Sequence, residues 1–524
     1  MVAAQELTYN TGASALLMAQ TIFGAGANIL GAVYVGDNRS SAVYSNGDSI
    51  APGATPGDTG IILSTGRATH YTNSSGQANQ DTNTSSNTRG PNNQSDFNQA
   101  AGARTYDASY LEVRFVPDSN VMTMQFIFSS EEYPEYTSSQ FQDFVGVWVN
   151  GSLVDLEVGD GDADPGNLNS GVNENLYLDN STSAYNTEMD GLTVTMTLTM
   201  NVVAGAENTI KIGIADVSDS SYDSNLLIAA DSVQTDLVAR ADSTTIYPNG
   251  SSTIDVTAND HNDGGGTLTI THINGVAVTA GSTVTLNSGQ TVQLNADGTI
   301  TVVGNGDIED FNFTYTVESG GLSDTAFVEV SAIPCFVAGT GILTPLGEVP
   351  VEKLRPGDLV MTQDDGARPL RWIGKRSVRA EGDFAPIRIR AGTFGAHREL
   401  TVSPQHRVLL RDGLAELLFG EGEVLVAAKD LVNDHSITRV PGGEVTYVHL
   451  MFDRHQVIYS EGLATESFLP GPQTSHLFEQ PVLEEICALF PELDPATGEG
   501  YGGAARRTLR QFEAQLLMSG HKAA

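Results

Sequence analysis

The run IPCFVAGTGILTPLGEVPVEKLRPGDLVMT, residues 333–362, decides how the rest of the chain is read. It places Cys335, one of only two cysteines, directly after Ile333-Pro334 and at a change of composition. Before Cys335 there are seven Lys and Arg against 39 Asp and Glu; from Cys335 onward there are 19 against 25. The run itself reads as a strand, ILTP (342–345), a turn at Leu346-Gly347, and then VPVEKLRPGDLVMT (349–362). That second half reads as two strands around the polar turn Pro356-Gly357-Asp358.

Working outward, 524 residues exceed what one core supports, so two to four domains are expected. A net charge of −38 excludes nucleic-acid backbones and anionic membranes as default partners, because an acidic field repels both. It suits a secreted surface or carboxylate loops that take Ca²⁺. Two cysteines make no disulfide framework. Cys487 shares helical spacing with Val482, Leu483, Ile486 and Phe490 and reads as a small buried apolar residue, with a bridge to Cys335 as the alternative. The apolar stretch 15–36 contains Gln20 and Asn28 and is broken by Gly24, Gly26 and Gly31, with no Lys or Arg before it. It predicts a helix from Ala13 to Phe23 and then a strand, with no transmembrane span and no cleaved N-terminal signal peptide.

Residues 1–236 predict one large β-rich domain, with strands at 60–66, 110–116, 121–128, 144–151, 192–203 and 208–217. The polar loop 72–97 is too long for a mere connection; as a carbohydrate surface it offers no aromatic platform beyond Tyr71. DTGIILSTG (58–66), FIFSSEEYPEYTSSQFQDFVGVWVNG (126–151) and IADVSDSSYDSNLLI (214–228) resemble the bacterial choice-of-anchor L domain. The resemblance implies a secreted or surface module with an unknown extracellular ligand and no catalytic residues to carry over. Residues 237–332, with short strands and regular turns, resemble a bacterial immunoglobulin- or cadherin-like sandwich that acts as spacer or contact surface.

Asp160, Asp162 and Asp164 alternate in a tight loop, a spacing that can direct several carboxylates at one Ca²⁺. Pro165 and Gly171 stand where the helix–loop–helix calcium motif needs its glycine and its glutamate, so that motif is absent. Asp216, Asp219 and Asp223 form a second candidate set; a solvated acidic turn is the competing reading of both. Glu131 and Glu132, adjacent on a predicted strand, would face opposite ways and could not flank one scissile bond.

Beyond the opening run come RWIG (371–374), SPQHRVLL (403–410) and EVTYVHLMFDRHQVIYSEG (444–462). Together these blocks resemble the Hint domain, the self-processing module of inteins and hedgehog proteins, in its bacterial form, over 333–470. The resemblance implies an all-β horseshoe fold and self-cleavage before Cys335 without any cofactor. A thiol beside a peptide carbonyl can turn the amide into a thioester if a base takes its proton and an acid protonates the leaving nitrogen. By resemblance Cys335 attacks the Pro334 carbonyl, His406 protonates the departing nitrogen, and Ser403, where Thr is usual, polarises or strains the bond. His449, Asp453 and His455 lie at the block that supplies a second proton-transfer group, and spacing does not choose among them.

The chain departs from the pattern in three ways. No His-Asn pair follows Cys335, so the thioester is expected to pass to water or an external nucleophile without splicing. Pro334 restrains the carbonyl under attack. Residues 471–524 lack a sterol-directing match and predict a helical tail over PVLEEICALF (481–490) and AARRTLRQFEAQLLM (504–518). The expectation is a mainly β, extracellular or surface protein that cleaves itself; the alternative is an acidic adhesin whose Hint module is inert.

Overall fold

The computed structural model describes residues 2–518 except 25, 81–82, 140, 160, 247–250, 264, 306–310, 333–334, 381–384, 434, 470–489, 491–500, 502, 510–512 and 515–516. The protein is mainly β, as expected, and forms two compact units. One takes in 1–242, 255–300 and 311–329, the other 243–254, 301–310 and 330–524.

In the first unit the short strand Thr8–Asn10 is followed by the helix Ala15–Ile22, whose cap Ser14 accepts the Leu17 amide at 3.1 Å. Met18, Ala19 and Ile22 enter the core, and Phe23 packs edge-on to Phe115 at 5.1 Å. Gly24 turns the chain where a Cβ would lie 2.3 Å from the Asp231 carbonyl oxygen. The edge strand Ala27–Val35 follows. The apolar stretch is thus divided between a helix and a strand, and among the described residues no helix is long and apolar enough to cross a membrane.

That edge strand pairs with Thr105–Pro117, which pairs in turn with Asn208–Val217 and then Phe144–Val149, all antiparallel. Along Thr105–Pro117, buried Leu111, Val113 and Phe115 alternate with exposed Glu112 and Arg114, the period-two signature of a half-buried sheet. The second sheet is built around Val121–Ser130, which pairs with Ser224–Ala229 on one side. The expected strand 192–203 divides into Gly191–Thr193 and Met196–Asn201, which both pair with Val121–Ser130 but one residue out of register. Thr193 Oγ1 accepts the Phe128 amide across the break, at 3.1 Å. Later in this unit, Asn274 and Gly275, at φ 50° and 74°, form the two-residue turn between Thr269–Ile273 and Val276–Ala277.

The second unit holds two larger sheets over a core that includes Phe336, Val402, Val448, Leu450 and Ile458. In one, strand order runs Trp372–Arg379, Glu444–Met451, Phe336–Val337, Leu400–Val402, Ile387–Ile389, Ile437–Arg439. The other contains the hairpin Val457–Ser460 and Leu463–Glu466, followed by Arg407–Arg411 and Glu423–Ala427. The expected C-terminal helices are corrected in part. Arg507–Thr508 is a strand, paired in parallel with Val424 and Leu425. Arg506 is held there by Glu423 and Asp364, each at 2.7 Å, so tertiary pairing overrides helix propensity. Glu513–Ala514 and Leu517–Met518 are helical, while Cys487 and nearly all of PVLEEICALF lie outside the described residues.

Phe115 is fully buried between the sheets of the first unit. Phe115→Ala is expected to cost about 3–5 kcal/mol of that unit's stability, read as a shift in the urea midpoint at unchanged slope.

Candidate functional site

Phe336–Val337 is only two residues long, yet it lies inside its sheet, with Phe336 opposite Val402 on one side and Val448 on the other. Cys335, just before it, is therefore placed between two chain segments. One is the end of Leu400–Val402, which runs on into Ser403; the other is Glu444–Met451, which carries Tyr447 and His449. The Cys335 amide donates to Ser403 Oγ at 2.7 Å, and the Ser403 amide donates to the Cys335 carbonyl at 2.9 Å. Cys335 carries a buried thiol, with Sγ 3.5 Å from His449 Nε2. The His449 ring packs edge-on to Phe468 at 5.6 Å. Burial, with Cys335 adding to it, pushes the Tyr447 hydroxyl well above its ordinary range, so it remains protonated.

Ser403-Pro404-Gln405-His406 is a tight turn closed by the His406 amide on the Ser403 carbonyl, at 3.1 Å. It brings the His406 ring to 4.2 Å from the Phe336 ring. His406 is buried, and among the described residues neither ring nitrogen has a hydrogen-bond partner. Burial pushes its pKa down to about 4; the Glu466 carboxylate opposes that shift, and Arg407 and His455 add to it. The imidazole is therefore neutral at pH 7 and has both nitrogens available for proton exchange.

Behind His406 lies a buried charged group that sequence reasoning missed. Glu466, fully buried, accepts the Arg407 amide at 2.9 Å and the Arg407 guanidinium at 3.2 Å. Its Oε2 lies 3.5 Å from His455 Nε2. Burial alone would raise the Glu466 pKa, but Arg407 and His455 hold it well below the usual carboxylate range. His455 accepts the Ala505 amide on Nδ1 at 2.9 Å, so its ring proton is on Nε2, 3.0 Å from the Ser467 carbonyl. No spacing or motif announced Glu466; its only signal is a lone acid closing the short strand Leu463–Glu466.

Of the three residues the sequence left open, His449 is the one beside the thiol. His455 stands in the layer behind, and Asp453 is exposed and paired with Arg371 at 3.3 Å, outside the site. Pro334 lies outside the described residues.

Four of the five described acids of the two sets are tied to neighbouring chain. Asp160 lies outside the described residues. Asp162 offers its carbonyl to Asn167, and Asp164 accepts the Gly166 and Asn167 amides at 2.8 and 2.9 Å. Asp219 accepts the Ser221 amide, and Asp223 the Ser86 amide and hydroxyl. Among the described residues no three acidic, histidine or cysteine side chains could hold a metal ion. Asp216 instead joins Asp143, a residue sequence reasoning passed over. Both are buried, Asp143 Oδ2 and Asp216 Oδ1 have no hydrogen-bond partner among the described residues, and burial pushes both pKa values well up. Glu132 Oε2 accepts the Asp143 amide at 2.8 Å. The strand argument for Glu131 and Glu132 is corrected: the strand ends at Ser130, and both lie buried in the turn that follows.

The family described as Hint domain matches residues 334–472, choice-of-anchor L domain matches 8–234, and bacterial Ig domain matches 234–331. No curated protein matches the chain. Among solved structures, a bacterial intein-like domain from Clostridium thermocellum is similar at 16% identity, over 26% of this chain and 97% of that one, with a TM-score of 0.20. The gp41-1 intein is similar at 15% identity, over 25% and 97% of the two chains, with a TM-score of 0.17.

Unfolded histidine titrates near 6.5. Because folding holds His406 near 4, the folded chain binds fewer protons over that interval, so stability is lost as pH falls from about 6.5 to about 4. Urea midpoints of the second unit should fall across that window and flatten in His406→Gln. An unchanged slope in that variant would remove His406 burial as the cause.

Proposed function

The chain is a Hint-domain protein carrying choice-of-anchor L and bacterial immunoglobulin modules, and from that premise we propose that it cleaves itself before Cys335. The Cys335 thiol gives its proton to His449 Nε2, and Sγ attacks the Pro334 carbonyl carbon. That proton passes from His449 to His406, and the carbon–nitrogen bond breaks as His406 delivers it to the Cys335 nitrogen, leaving both imidazoles neutral. The product is a thioester joining the acyl group of Pro334 to Cys335 Sγ, which water or an external nucleophile resolves to release residues 1–334.

The observation that carries this reading is the convergence on one residue. Sγ lies 3.5 Å from His449 Nε2 while Ser403 Oγ holds the amide nitrogen of the bond to be cut, at 2.7 Å. The choice-of-anchor match and the acidic N-terminal part support an extracellular or surface setting, in which cleavage frees the presenting modules. The second reading, an inert Hint cap on an adhesin, draws support from Pro334 and from the low proton affinity of His406.

Intact-mass analysis of the full chain, with and without hydroxylamine or dithiothreitol, separates the two. A fragment ending at Pro334 should appear in the wild type and vanish in Cys335→Ala, and Ser403→Ala should cleave more slowly than Ser403→Thr. A wild-type chain that stays whole under every thiol and pH tried establishes the inert cap.

Calcium in the N-terminal module is a separate proposal, supported by the two orphaned oxygens on Asp143 and Asp216. Millimolar calcium should then raise the unfolding temperature of the first unit, EDTA should reverse the gain, and Asp216→Asn should abolish it. If calcium has no effect, the pair is a proton-sharing site. Carboxyls raised by folding stabilise at low pH, and that contribution is lost as pH climbs from about 4.

A further inference from the structure

Glu466 plays no part in the bond changes just described, yet it is fully buried and remains ionised. Burying an unpaired carboxylate costs several kcal/mol, so a chain that does so must surround it with compensating groups. Here every neighbour points the same way. Arg407, the residue after His406, contributes both its amide and its guanidinium to the two Glu466 oxygens. His455 turns its Nε2–H toward Glu466 Oε2 and the Ser467 carbonyl. The ring is locked in that tautomer by the Ala505 amide on Nδ1, and Tyr501, in the same segment, donates to the Phe452 carbonyl at 2.6 Å. The Glu466 carboxylate thus lies against the peptide that joins His406 to Arg407, and the titratable groups beside His406 are Glu466, Arg407 and His455.

We propose that Glu466 is a positioning residue for proton transfer at Cys335: its buried carboxylate supplies the negative charge that lets His406 hold a proton while the Pro334–Cys335 bond breaks. This rests on the self-cleavage reading above. The proton balance is closed. One proton leaves Sγ, is carried by imidazole, and ends on the Cys335 nitrogen, and Glu466 remains a carboxylate throughout. Without that charge, the apolar surroundings and Arg407 both oppose an imidazolium at 406.

The test is histidine titration by NMR in the full chain carrying Cys335→Ala, with ring carbons labelled and the His406 signal assigned by His406→Gln. Adding Glu466→Gln should move the His406 midpoint down by about one unit, a tenfold loss of proton occupancy at a given pH. Adding Arg407→Gln should move it up, because the cation that opposes protonation is gone. Opposite shifts are the mark of an electrostatic role; shifts in the same direction, or none, overturn the assignment. Arg407 is partly exposed, so Arg407→Gln decides alone if Glu466→Gln does not fold. In the chain with Cys335 intact, Glu466→Gln should slow cleavage roughly tenfold and displace its pH profile toward acid, with Glu466→Asp restoring part of the rate. A wild type that never cleaves overturns the reading beneath the proposal, whereas an unmoved His406 midpoint overturns the role of Glu466 alone.

Discussion

The reciprocal pair of hydrogen bonds between Cys335 and Ser403 is the constraint on which the Hint site depends. Cys335 comes at the start of a two-residue strand, where a chain would ordinarily fray. Clamping both its amide and its carbonyl to Ser403 fixes the backbone on each side of the thiol. The inner place of that strand in its sheet follows from the same arrangement. Val402 leads into Ser403 on one side and Val448 precedes His449 on the other, so backbone pairing delivers both proton-handling segments to one sulfur. A site assembled by sheet register tolerates little drift, because a slip of one residue would turn His449 to the opposite face.

Buried charge is handled differently in the two units. In the second, Glu466 is ionised and fully compensated by Arg407 and His455. In the first, Asp143 and Asp216 face each other with oxygens left over and Glu132 close by. Seven basic residues before Cys335 leave few cations to spare, and Arg39, Arg114 and Lys211 are already paired with Asp37, Glu207 and Asp96. Two carboxylates so placed need a shared proton or an external cation.

Much of the fold was legible because it rests on local periodicity. Alternation marked strands such as 110–116 and 208–217, and the glycines after Phe23 marked the end of the first helix. The break inside 192–203 was not legible, since a β-bulge leaves the apolar pattern nearly unchanged and is set by the partner strand. The tail misled for a related reason: AARRTLRQF has good helix formers, but Arg506 and Arg507 meet Glu423 and the Phe419 ring only in the folded chain. At the site, Cys335, Ser403 and His406 were readable from ordered blocks, and His449 was named without being chosen. Glu466 was not readable, because a single acid acquires meaning only from the groups folded around it. Close spacing suggested common ligation; in the structure Asp164 and Asp219 accept amides of their own turns, and Asp223 holds the amide and hydroxyl of the distant Ser86.

A histidine that holds protons as weakly as His406 looks unsuited to act as an acid, and its lack of hydrogen-bond partners among the described residues looks like a defect. Both features fit a transfer in which no proton is drawn from solvent. In the cleavage proposed above, the proton needed at the Cys335 nitrogen is the one released by the thiol, so the resting site would require only neutral imidazoles and a protonated sulfur. A histidine of ordinary pKa, tied to a carbonyl, would keep its proton when the leaving nitrogen needs it. A buried ring with open nitrogens can take a proton briefly and give it up readily. What such a ring requires is a nearby fixed negative charge that does not itself titrate, and among the described residues Glu466, compensated and fully buried, meets that requirement.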